Sequence, residues 1–174
     1  MEIKIRDCFQ KKIPQTSIDR YISGIYALNL PSEMSGDWHF STVWYSYVPE
    51  TAPVWGNDFG FDTNPIWGSF GVTDRIKAYR EANLNTGNLN CVYTADNYRA
   101  ILDLMVHSAV RNSMGTVVGA TMDYLDTEEQ KHYVLEKAKF AIQSNTLSEE
   151  QKTRIQNWIT DESKNIYRGV SYEP

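Results

Sequence analysis

An α+β fold, with strands and loops first and helices after them, is what three features of the chain predict. Apolar residues in 95–112 recur at helical spacing: Tyr98, Ile101, Leu102, Met105, Val106, Ala109 and Val110. Thr127-Glu128-Glu129-Gln130 and Ser148-Glu149-Glu150-Gln151 have the form of capping boxes, in which a hydroxyl and a side-chain acceptor satisfy orphan N–H groups at a helix start. Residues 36–48 instead alternate with a period of two. At 174 residues, the chain has the size of a single domain. Its 41% hydrophobic and 22% charged composition excludes wholesale disorder.

In chain order, residues 25–30 read as a strand stopped by Pro31. The turn-forming connection 32–36 would join it as an antiparallel partner to the strand over 36–48. In that second strand Trp38, Phe40, Trp44 and Val48 share a core face; Asp37, His39, Ser41, Tyr45 and Tyr47 share the other. Residues 49–71 carry a Gly or Pro every few positions, with a Trp or Phe in each interval, and fit a long ordered loop or short irregular strands. A short helix is predicted over 74–83 and a longer one over 95–112. The capping boxes open two more, running to about 145 and 165, with Val134, Leu135, Ala138, Ala141 and Ile142, then Ile155, Trp158 and Ile159, on their buried faces. A three-residue turn joins them into an αα-hairpin. One domain over 1–174 therefore has a strand- and loop-rich acidic, aromatic half (1–72) and a helical half (73–168).

Charge narrows the function classes. A net charge of −5 offers no basic face to meet phosphates, which argues against general nucleic-acid binding. No apolar run approaches the roughly 18 residues that span a bilayer, and neither a secretory nor a lipidation signature is read. Two cysteines, Cys8 and Cys91, are too few for a disulfide framework or a thiolate zinc site, so a reducing cytoplasm is the expected compartment. His39, His107 and His132 form no metal-binding pair, and no nucleotide-binding glycine motif occurs; neither metal nor cofactor is expected. His107 falls opposite the apolar stripe and should point to solvent.

Between Arg20 and Arg75 there is no lysine or arginine, yet six acids and four of the five tryptophans lie there. Such a segment suits a protein interface in which rings anchor and the acidic field attracts a basic partner. The expected binding residues are Trp55, Asp58, Phe59, Phe61, Asp62 and Trp67. The alternative is a small enzyme or a small-molecule or sugar-binding module around Asp37 and His39, which a strand would place about 7 Å apart on one side. There His39 would act as base and Asp37 would fix its tautomer.

Four strings carry a resemblance: Tyr26-Ala27-Leu28-Asn29-Leu30-Pro31, Gly36-Asp37-Trp38-His39, Trp67-Gly68-x-x-Gly71, and Asn97-Tyr98-Arg99-Ala100-Ile101-Leu102-Asp103-Leu104. Over 25–105 the chain resembles a set of uncharacterised bacterial proteins that accompany toxin–antitoxin or phage-defence genes. The resemblance implies an antitoxin-like role, with a toxin or defence protein as the basic partner, and lends no catalytic residues.

Overall fold

The structure is a computed structural model that describes residues 8–34, 42–56 and 62–168, with side chains to residue 164. The strands are β1 (Phe9–Gln10), β2 (Arg20–Tyr21), β3 (Tyr45–Ser46), β4 (Trp55–Gly56), β5 (Val72–Asp74) and β6 (Tyr93–Ala95). They pair antiparallel as β1–β3, β2–β4 and β5–β6. Ile22 links two of these pairs: its N–H donates to Tyr93 O at 3.1 Å and its carbonyl accepts from Ala95 N at 2.8 Å.

The helices are α1 (Gly24–Leu28), α2 (Asn64–Trp67), α3 (Ile76–Glu81), α4 (Asn97–Val110), α5 (Ala120–Tyr124), α6 (Glu128–Gln143) and α7 (Glu149–Arg168). The α+β class is as the sequence predicts. Helix α4 is central and packs on α1, α6 and α7. Its Ile101, Leu102, Met105, Val106 and Ala109 are wholly buried. Burial of each large apolar side chain contributes about 1.5–3 kcal/mol, so this stripe is the main apolar anchor of the helical half.

Both capping boxes form. Thr127 Oγ1 accepts from Gln130 N while Gln130 Oε1 accepts from Thr127 N at 3.1 Å; Ser148 and Gln151 repeat the exchange at the start of α7. The two helices make the expected hairpin, burying Val134, Leu135, Ala138 and Ala141 against Ile155, Trp158 and Ile159. Polar side chains one turn apart on α7 then fasten it to the rest. Arg154 donates to Ala109 O at 2.7 Å, Trp158 Nε1 to Val117 O at 3.0 Å, and buried Glu162 accepts from Gly119 N at 2.7 Å and from Thr121.

The first half departs from expectation. Residues 24–28 are helix, not strand: Ala27 and Leu28 are buried and Ile25 is exposed, a one-sided pattern that packs a single turn on α4. Asn29 closes that turn, with both its N–H and its side-chain amide donating to Ile25 O. The expected strand over 36–48 lies partly outside the described residues. Within them, residues 42–44 form a 3-10 turn and only Tyr45–Ser46 is strand, paired with β1 rather than with 25–30. Trp44 is buried as predicted, whereas Val48 is exposed because the chain bends after Ser46, whose Oγ accepts from Val48 N. The Gly- and Pro-rich stretch contributes β4 and the single turn α2.

Gly71 marks the tightest approach of loop to helix. It has φ +70°, and a Cβ there would lie 2.6 Å from Arg99 Cβ and 2.7 Å from Asp96 Oδ1. Gly87 has φ +55° with open space around it. Gly87→Ala should therefore cost only the left-handed backbone strain, about 1–2 kcal/mol. Gly71→Ala should cost about 1–3 kcal/mol more, because the loop must move off α4. Urea unfolding of the two variants measures the difference.

Candidate functional site

The most concentrated polar chemistry lies inside the protein, on one face of α4. Arg99 and Asp103 are fully buried and one helical turn apart, with Nε donating to Oδ1 at 2.9 Å. Arg99 Nη1 donates to Gly68 O at 2.8 Å and Phe70 O at 2.9 Å. Its Nη2 donates to Tyr21 Oη at 2.7 Å, Asn64 Oδ1 at 2.9 Å and Thr63 Oγ1 at 3.1 Å. The hydroxyls of Tyr21, Ser23 and Thr63 all donate to the Asp103 carboxylate, at 3.0, 2.6 and 2.6 Å. The guanidinium also lies over the rings of Tyr21 and Trp67. Burial, together with the Asp103 charge, holds the Tyr21 phenol well above its ordinary range. Every nitrogen of this guanidinium and both carboxylate oxygens are engaged, out of reach of solvent. Its chemistry is that of a clamp joining α4 to β2 and to the segment around α2.

A second arginine sits at a cleft. Arg75 donates to Ala95 O at 2.9 Å, Pro31 O at 2.8 Å and Ala27 O at 3.5 Å, which fixes the chain leaving α1. Burial pulls its pKa down. Beside it Asp96 caps α4, its Oδ1 accepting from Arg99 N at 2.8 Å, and burial raises its carboxyl above the usual value. Both line an open cleft of about 550 Å³ with Pro31, Ser32, Glu33 and Thr73. The cleft has room for a small polar molecule, and its rim carries both signs of charge.

At the surface, rings gather around one lysine. Tyr133, Lys137 and Phe140 follow one another at helical spacing on α6. Lys137 Nζ lies 5.5 Å from the ring centres of Tyr133 and Phe140 and 4.9 Å from that of Phe70, contributed by the turn after α2. Tyr98, from the first turn of α4, extends the cluster: its ring centre is 5.0 Å from that of Tyr133, which in turn lies 6.2 Å from Phe70. Tyr133 and Phe140 remain 42% and 51% exposed, so the cluster faces solvent. Backbone of the same helix anchors Trp67, whose Nε1 donates to Lys137 O at 3.1 Å.

Of the expected binding residues, the structure describes Trp55, Asp62 and Trp67. Asp58, Phe59 and Phe61 lie outside the described residues, as do Asp37 and His39. Trp67 is buried, 9% exposed, and belongs to the core rather than to a surface. Trp55 is half-buried, with its six-membered ring against Gly24 and its indole 5.2 Å from the ring centre of His107. Asp62 Oδ1 accepts from Asn64 N at 2.9 Å, and Asp74 Oδ1 from Val92 N at 2.8 Å and Ile76 N at 3.1 Å; Glu50 pairs with Lys11 at 2.9 Å. These acids serve turns and an ion pair. Among the described residues, no three of His, Cys, Asp and Glu converge as a metal ion would require. The α6 ring cluster went unpredicted because Tyr133 and Phe140 flank a buried face; their spacing about Lys137 was the available signal.

Helix α4 turns His107 against Trp55 rather than out to solvent, a correction to its sequence-based placement. Burial, with Arg111 nearby, lowers its pKa from 6.5. The unfolded chain thus binds a proton at a pH where the folded one does not. The stability that His107 contributes is present above 6.5 and declines as pH falls toward the lowered folded value. Subtracting the stability-versus-pH curve of His107→Gln from that of the wild type should isolate this decline; a flat difference between pH 7 and pH 5 would show that the contact does not perturb the imidazole. Comparison with protein-family models, with curated proteins and with solved structures finds no match for this chain.

Proposed function

We propose that this is a non-enzymatic binding protein that engages a basic protein partner through an aromatic surface, in the manner of an antitoxin or inhibitor. The observation that carries the reading is the solvent-facing cluster of Phe70, Tyr98, Tyr133 and Phe140. Aromatic side chains present large contact areas at little entropic cost and are over-represented among the residues that dominate binding energy. Their faces attract cations, and a chain of net charge −5 favours encounter with a positively charged partner. The cytoplasmic compartment and the toxin or defence identity of the partner belong to the same proposal. Among the described residues, no helix is long and apolar enough to cross a membrane.

A second reading, a small-ligand module, is favoured by the cleft holding Arg75 and Asp96. Its lining residues Ser32 and Glu33 lie shortly before Asp37 and His39 in sequence, the residues on which an enzymatic site would be built.

The surface reading predicts that Tyr133→Ala combined with Phe140→Ala keeps the wild-type helical circular dichroism, since both side chains are about half exposed. Capture of a basic partner from cell extract should fall at least about tenfold, the loss expected of a hot-spot pair. Capture equal to that of the wild type would place the interface elsewhere.

A further inference from the structure

The two lysines nearest Lys137 on α6 have acidic partners: Lys131 pairs with Glu128, and Lys139 with Glu136. Lys137 has none among the described residues. Its ammonium is held instead by the faces of three rings from two elements, all within the roughly 6 Å over which a ring quadrupole attracts a cation. Three rings around one ammonium form an aromatic cage, an arrangement that selects for cations and offers little to an anion. Two of its walls, Tyr133 and Phe140, are half open to solvent. Phe70 is fixed from behind, because its carbonyl accepts from the buried Arg99. The cage is thus preorganised and entered from outside, and the cation now in it is tethered by a flexible stem.

We propose that Lys137 is an intramolecular plug: it fills the cage in place of a cationic side chain of a basic partner, and the partner docks by displacing it. This inference rests on the binding reading above and specifies the chemistry of its central contact. A plug lowers the apparent affinity of any competing cation by the fraction of time it occupies the site. Removing it should tighten cation binding without any new contact, whereas a lysine whose side chain extends into solvent away from the ring faces would leave cation binding unchanged when truncated.

Tetramethylammonium is the probe, with neopentyl alcohol as its neutral counterpart of similar shape. The aromatic resonances of Phe70, Tyr133 and Phe140 are followed by NMR during titration of the wild type and of Lys137→Ala. Alanine is a strong helix former at this partly exposed position, and backbone shifts outside α6 report that the fold is kept. The expected result is tetramethylammonium binding at least about threefold tighter in Lys137→Ala than in the wild type. All three rings should shift, the alcohol should shift none of them, and Lys137→Ala with Tyr133→Ala should lose the gain. Equal or weaker binding in Lys137→Ala, or an equal response to the alcohol, overturns the plug. If that happens while the double ring variant still loses partner capture, only the plug falls. If capture survives loss of the rings, the binding reading itself fails.

Discussion

An arginine and an aspartate that are both wholly removed from water are tolerated only if every charge and hydrogen finds a partner, because the desolvation of each ion amounts to several kcal/mol. Arg99 and Asp103 meet that condition with groups drawn from all over the first half: hydroxyls from 21, 23 and 63, an amide oxygen from 64, and carbonyls from 68 and 70. Because the tethers lead to two separate stretches, 21–23 and 63–70, the pair dictates where β2, the start of α1 and the turn after α2 can lie relative to α4. The absence of space for a Cβ at Gly71 follows from the same closeness. So does the position of Phe70, which the clamp holds at the base of the surface cluster.

How much of this the amino-acid sequence discloses depends on how local the cause is. Helices α6 and α7 could be read directly, since a capping box and an apolar stripe act within four residues of chain. Helix α4 could be read for the same reason. Residues 24–28 could not: Ile25-Tyr26-Ala27-Leu28 fits a short strand as well as one helical turn, and packing on α4 decides between them. Arg99 and Asp103, spaced i and i+4, have the form of an ordinary exposed helix pair. Their burial comes from residues up to 82 positions away, which no local pattern reports.

The same distinction explains the candidate surface. The lysine- and arginine-free segment was visible in the sequence as acidic and aromatic, but Asp62, Asp74 and Glu50 are spent on turns and on Lys11, and Trp67 completes the core. What reaches solvent is a set of rings collected from both halves, brought together by tertiary packing of α6 on the turn after α2. A function built on that cluster depends on the clamp beneath it, because Phe70 and Tyr98 are set in place by the residues that bind or adjoin Arg99.

A double-mutant cycle on Arg99→Met and Asp103→Leu, read by urea unfolding, tests whether the clamp governs the fold. Each single substitution should cost about 3–5 kcal/mol, since it leaves the opposite charge buried and unpaired. The double substitution, which buries neither charge, should cost well below the sum of the two. Costs that add to within about 0.5 kcal/mol would show that the two side chains act independently, and would contradict the account.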